Sequence, residues 1–157
     1  MTKSFLRISH TEKQMRRFIS AAAVILVPAV ALAQAPQFIT TNPQSTAPFS
    51  PAVRVGNMLY LAGQLGTDKG KLVDGGIGPE TKQALTNIKT VLDANGSDME
   101  HVVKCTVFLA DMKEWPAMND VYRTMFTAGK FPARSAFGTT GLANNARTEI
   151  ECIAVVK

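Results

Sequence analysis

The sequence predicts an α+β domain in which one sheet carries two helices packed on one of its faces. Three observations lead there. Between Ala52 and Val156 the periodic segments run strand, strand, helix, strand, helix, strand, strand. Each helical segment has a single apolar stripe, so each buries one side only. The strands, by contrast, place apolar residues on both faces, and two helices on one side leave the other side uncovered. An exposed apolar sheet face predicts a subunit interface, and so a homo-oligomer. At 157 residues the chain is long enough for one domain with a sizeable core.

Residues 1–33 read as a secretory signal peptide. The stretch MRRFISAAAVILVPAVALAQAP opens on Met15 and two arginines, runs apolar from Phe18 to Val30, and ends in the small residues Ala31-Leu32-Ala33, where cleavage is expected. The apolar run is short for a membrane span, so no membrane association is expected once the leader is removed. Residues 1–14, MTKSFLRISHTEKQ, are either an extended charged leader or the product of an upstream start codon, with Met15 the favoured true start. The protein is accordingly expected in the periplasm or outside the cell.

Residues 34–50, QAPQFITTNPQSTAPFS, are rich in Pro, Thr, Ser and Gln and read as an extended arm with a short strand around Phe38–Thr40. The domain proper, 51–157, opens with strands at Ala52–Val55 and Met58–Ala62, joined by Gly56-Asn57 in a tight hairpin. TDKGKLVDGGIG reads as an exposed loop. In PETKQALTNIKTVLDANG, Pro79 suits a first helical turn, and Ala84, Leu85, Ile88, Val91 and Leu92 share a face. Gly96 sits where a left-handed cap is expected. HVVKCTVFLA is apolar on both faces apart from Lys104 and Thr106, the mark of a central strand.

The second helix lies in DMKEWPAMNDVYRTMF. Asp111 and Glu114 have capping-box spacing, and Pro116 is close enough to the start to be tolerated. The stripe Trp115, Met118, Val121, Tyr122, Met125, Phe126 reads as core packing. ARSAFG and TEIECIAVV supply the last strands. In the second of these Glu149, Glu151, Ile153 and Val155 share one face while Ile150, Cys152, Ala154 and Val156 share the other.

Composition narrows the function classes. The chain holds 17 basic and 12 acidic side chains, but five of the basic ones and one acidic one precede residue 34. The exported portion therefore has 12 against 11, a net charge near +1, which offers no electrostatic footprint for nucleic acid. Of two histidines, His10 lies in the leader, so His101 stands alone; with two strand cysteines it makes no convincing zinc shell, and no histidine-based triad is expected. Cys105 and Cys152 sit inside apolar strands. Free core thiols are the plainer reading, while an oxidising compartment permits a disulfide if the two strands are neighbours.

Arg134, in FPARSAFG, is the residue that asks for a function. A permanently charged guanidinium set among small residues at the start of a packed strand needs a partner. A structural ion pair with Glu149 or Glu151 is one candidate, and an anionic ligand is the other.

The ordered set VRVGNMLYLAGQLG, ETKQALTNIKTVLDANG, VVKCTVFLADM, MNDVYRTMF, FPARSAFG and TEIECIAV, spanning about Phe49 to Val155, resembles the RidA/YjgF family of imine deaminases. The resemblance implies a chorismate-mutase-like α+β fold, a homotrimer with its helices outside, and clefts between subunits. There, 2-imino or 2-enamino acids are hydrolysed to 2-oxo acids and ammonia without metal or organic cofactor. Carried over by position, it makes Arg134 the grip on the substrate carboxylate and Glu149 the holder of the attacking water. Gly63 becomes a glycine lining the cleft, and Asn119 a polar residue on the second helix. On their own, Gly63 reads equally as a bulge and Asn119 as a surface residue.

The chemistry is consistent with that assignment, since a guanidinium fork binds a carboxylate through two parallel hydrogen bonds. Two positions depart from the pattern. Phe49 stands where active relatives usually carry a tyrosine, and Ala136 where they tend to carry a cysteine. These departures keep a second reading open, an exported protein that binds small carboxylates in the same cleft without turnover. A ribonuclease reading is disfavoured by the neutral charge and the leader.

Overall fold

Strand pairing realises the pattern in a seven-stranded sheet. The computed structural model describes residues 34–40 and 44–157, so the leader expected over 1–33 lies outside the described residues. The strands are β1 (Gln37–Ile39), β2 (Ala52–Val55), β3 (Met58–Leu61), β4 (Gln64–Leu65), β7 (Val102–Leu109), β8 (Ala133–Gly138) and β9 (Thr148–Val155). Their order is β1-β2-β3-β9-β7-β8, with β4 also pairing to β9. All pairings are antiparallel except β7 with β8, which is parallel. The helices are α1 (Ile77–Ala94) and α2 (Trp115–Tyr122).

The hairpin between β2 and β3 turns at Gly56, whose φ of 62° is open to glycine at no steric cost. Gly96 closes α1 at φ 74°, and the backbone N–H of Ser97 donates to Leu92 O (3.0 Å). The stripe predicted for α1 is the stripe that is buried: Ala84, Leu85, Ile88 and Leu92 are fully enclosed. They pack, with Met118 and Tyr122 of α2, on Leu59, Cys105, Val107, Ile150, Cys152 and Ala154 of the sheet. β7 lies between β8 and β9, as a strand apolar on both faces should. The sheet face away from the helices presents Phe38, Tyr60 and Phe137, all exposed. The Phe137 ring stacks on Phe108 at 6.3 Å.

Three expectations are corrected. The stretch after Gly66 is not a plain loop, because Thr67–Asp68 (β5) and Lys71–Leu72 (β6) form a small hairpin. It is anchored through Asn87 of α1, which donates to the carbonyls of Leu65 (3.1 Å) and Thr67 (2.9 Å). Two-residue strands are too short to show an alternation, so the sequence carried no signal for them. The capping box does not close either. Asp111 accepts from the Lys113 N–H (2.9 Å) and caps a short 3-10 turn, but Glu114 reaches away to Arg147 (2.5 Å).

The third correction concerns the cysteines. Cys105 and Cys152 are register partners on β7 and β9, with Cα atoms 4.1 Å apart, and they form a disulfide rather than two free thiols. Sequence separation hides this, since 47 residues lie between two positions that antiparallel pairing sets face to face.

At the sheet's far end Asp98 gathers the chain terminus. Its carboxylate accepts from the Glu100 N–H (2.9 Å), contacts the His101 ring (2.7 Å) and pairs with Lys157. Lys157 and then His101 hold the Asp98 carboxyl well below the usual carboxylate range.

Two outcomes are expected. Reducing the buried disulfide, or replacing both cysteines by alanine, should lower unfolding free energy by about 2–4 kcal/mol, read from denaturant titrations with and without reductant. Because the Asp98 pKa is depressed on folding, its contribution is present above the unfolded value near 4 and is lost as pH falls below it. The Tm advantage of wild type over Asp98→Asn should therefore be full at pH 6 and shrink progressively below about pH 4; an advantage independent of pH would contradict the pairing.

Candidate active site around Arg134

Parallel pairing of β8 on β7 sets Arg134 opposite Cys105, which turns its side chain to the helix-covered face. There the guanidinium carbon lies 4.5 Å from the centre of the Tyr122 ring, a cation–π stack. Among the described residues no carboxylate comes within ion-pair distance of it, which removes the structural pairing with Glu149 or Glu151. Tyr122 is itself 3% exposed, and its hydroxyl is buried without a hydrogen-bond partner. Burial pushes that phenol up to about 12, while the charge of Arg134 pulls the other way. The ring stays neutral across physiological pH.

Two recesses meet at Arg134. One, of about 320 Å³, is lined by Asn119, Tyr122, Arg123, Phe131, Pro132 and Arg134. The other, of about 380 Å³, is formed by Met112, Trp115, Arg134 and Ala136. Asn119 and Tyr122 are three apart on α2 and so rise from one face of the helix. Ala136 follows Arg134 by two on β8 and shares its side of the sheet.

Glu149 and Gly63 form a second group, and Phe49 lies apart from both groups. Glu149 lies on β9 opposite Phe108, on the sheet face away from the helices. Its carboxylate lies against Gly63, where a Cβ would come 2.0 Å from Oε1. Any side chain at this position would displace that carboxylate, so the glycine is more than a bulge. Phe49, 64% exposed, borders a cleft with Gln64, the residue after Gly63. The entry to β9 is pinned by Glu80, a buried carboxylate of α1 that accepts from the Arg147 N–H (2.8 Å).

Within one chain the two groups are kept apart. Arg134 and Glu149 are offset by three residues along the strands and two strands across, about 14 Å between backbones, and they point to opposite faces. A small acid held by Arg134 is out of reach of the Glu149 of the same chain. Among the described residues no cluster of three His, Cys, Asp or Glu side chains is arranged to hold a metal.

Tyr122, Trp115 and Met112 are the site residues that sequence reasoning missed. The stripe on α2 read as core, and Met118 and Tyr122 do enter it, yet Trp115 stays 39% exposed at the edge of the second recess. The available signal was the spacing of Tyr122 from Asn119, three residues along the same helix.

Comparison with known proteins identifies the family. The family model described as Endoribonuclease L-PSP matches residues 39–156. A goat protein named 2-iminobutanoate/2-iminopropanoate deaminase is 49% identical over 115 residues, covering 72% of this chain and 83% of its own. The mouse protein of the same name is 45% identical over 118 residues, covering 74% and 87%. The crystal structure of RidA from an Antarctic Psychrobacter superposes with a TM-score of 0.69 at 33% identity, over 76% of this chain and 99% of that one. A Neisseria meningitidis member of the YjgF protein family does so with a TM-score of 0.68 at 25% identity, over 80% and 98%. With the sheet order, the Arg134 recess and the Gly63–Glu149 contact in place, these matches establish that the chain belongs to the RidA/YjgF family.

Proposed function

We propose that this protein hydrolyses reactive 2-imino and 2-enamino acids to 2-oxo acids and ammonia, at clefts formed between copies of a homotrimer. One observation carries the reading. Arg134 is a half-buried guanidinium with no carboxylate to pair with among the described residues, held flat by a tyrosine ring at the meeting point of two open recesses. The names of the relatives at 45–49% identity support the same chemistry.

The reaction asks little of the protein. Arg134 grips the carboxylate next to the electrophilic carbon through two charge-assisted hydrogen bonds and fixes its orientation. Water adds to the C=N carbon, the imine nitrogen takes up a proton, and the C–N bond of the resulting carbinolamine breaks to release ammonia and leave a C=O. Glu149, held in place beside Gly63, orients the water and relays the proton. Since Glu149 lies across the sheet from Arg134 of the same chain, the water-holding carboxylate comes from a neighbouring copy. The uncovered apolar face with Phe38, Tyr60 and Phe137 is the surface through which copies associate. Water is the only co-reactant, so the chemistry requires no cofactor.

Export to the periplasm or beyond completes the proposal. The leader pattern of residues 1–33 supports it, as does the buried Cys105–Cys152 disulfide, a bond that persists in oxidising compartments. The second reading, a binder of small carboxylates without turnover, draws on Phe49 and Ala136, which lack the phenol and thiol of the family pattern.

The deciding measurement is release of 2-oxo acid and ammonia from freshly generated 2-imino acids. Wild type should accelerate it, and Arg134→Ala should lose roughly 10- to 100-fold in kcat/KM. Gly63→Ala should keep its Tm within a few degrees, because the obstructing atoms are the end of a flexible side chain, yet lose activity as Glu149 is displaced. Absence of acceleration by wild type, together with stabilisation by small acids, would leave only the binding reading.

A further inference from the structure

On a single chain the recesses at Arg134 are larger than a three- or four-carbon imino acid requires. Each, at about 320 and 380 Å³, reaches the range in which proteins bind drug-sized ligands, about 300–1,000 Å³. A carboxylate and its imino carbon occupy the space directly before the guanidinium and leave the rest for a side chain. Asn119 and Arg123 border the first recess beside its apolar residues, whereas the second, apart from Arg134, is formed by Met112, Trp115 and Ala136 alone. Met112, Trp115 and Phe131 are 47%, 39% and 52% exposed, and all three border a recess that Arg134 shares. Exposed large hydrophobics gathered around Arg134 suit a site that orients an acid by its charge and holds it by its body.

Two details of the backbone shape this space. Ala136, one pleat beyond Arg134 on the same side of β8, contributes a single methyl between Met112 and Trp115. Gly138, one pleat further, admits the Met112 side chain, since a Cβ there would come 2.7 Å from Met112 Cγ. Met112 is thereby held along the strand and walls the recess opposite Trp115. Tyr122 borders the neighbouring recess, while its hydroxyl is enclosed and without a hydrogen-bond partner among the described residues.

We infer that this site selects 2-imino acids with large apolar or aromatic side chains, those derived from amino acids such as phenylalanine and leucine, over the imines of alanine-sized acids. The inference rests on the proposed hydrolysis for its substrate chemistry. The selectivity itself comes from binding, because the side chain takes no part in the addition of water or the departure of ammonia.

The test runs two arms on the purified protein. In the first, 2-imino acids are generated in place from L-phenylalanine, L-leucine and L-alanine by an amino-acid oxidase, and the surviving imine is trapped with semicarbazide. The phenylalanine- and leucine-derived imines should be hydrolysed with kcat/KM at least about tenfold above 2-iminopropanoate, the low end of what one discriminating methylene pocket achieves. Ala136→Leu, which fills the recess, should bring that ratio to one or below. Trp115→Ala, at an exposed position that tolerates truncation, should lower it as well and serves if Ala136→Leu fails to fold. Equal or faster hydrolysis of 2-iminopropanoate by wild type overturns the inference and leaves the proposed function standing.

The second arm measures binding of 3-phenylpyruvate and pyruvate by calorimetry. If no imine is hydrolysed, the proposed function falls. Binding of 3-phenylpyruvate at least about tenfold tighter than pyruvate then sustains the selectivity of the site, while comparable affinities overturn it.

Discussion

The antiparallel pairing of β7 with β9 is the contact on which the rest of this molecule depends. It runs without interruption from the Cys105–Cys152 pair to Leu109 and Thr148, and the buried disulfide secures one end of that run. β8 takes its register from β7, so the place of Arg134 is set by the same pairing that places Glu149. A slip of β9 by one residue would turn Glu149 to the helix-covered side, the side of Arg134, and carry the core residues Ile150, Cys152 and Ala154 to the uncovered face. The cost of that slip is what keeps these two candidate residues, on different strands, in a constant relation.

That relation is one of separation. A sheet with helices on one face and nothing on the other puts residues of adjacent parity on different sides, and Arg134 and Glu149 have been assigned to different sides. The consequence is that neither half of the candidate chemistry is complete in one chain, and the apolar uncovered face supplies a physical reason for copies to meet. Tyr122 joins the core to the site. Its ring belongs to the packed layer under α2, one face of it supports the guanidinium, and its hydroxyl is enclosed without a partner among the described residues. A buried donor left without a protein partner is costly in a purely structural setting.

The recess on the Trp115 side reflects small choices at close quarters. Alanine at 136 and glycine at 138 are unremarkable strand residues on their own, and only the approach of Met112 over the strand end gives them meaning. The helix stripe on α2 likewise has two uses along its length. Met118 and Tyr122 are enclosed, whereas Trp115, at the start of the helix, overhangs the edge strand where the sheet can no longer cover it.

Much of the fold was legible in the residues, because local rules govern local structure. Gly56-Asn57 specified its hairpin through backbone freedom, the three-and-four spacing of Ala84 to Leu92 specified the buried face of α1, and the parity of TEIECIAV specified the two faces of β9. The anomaly of Arg134 was legible for the same reason, since a charge among small residues on a strand stands out wherever it occurs. What required the tertiary structure was every relation between distant segments. The cysteines were two strand residues until pairing set them 4.1 Å apart, Glu114 was half of a capping box until Arg147 drew it away, and Gly63 was a bulge until Glu149 came against it. Sequence periodicity states which side of an element is buried, but which partner meets it depends on how strands and helices pack, and that is decided by the whole core at once.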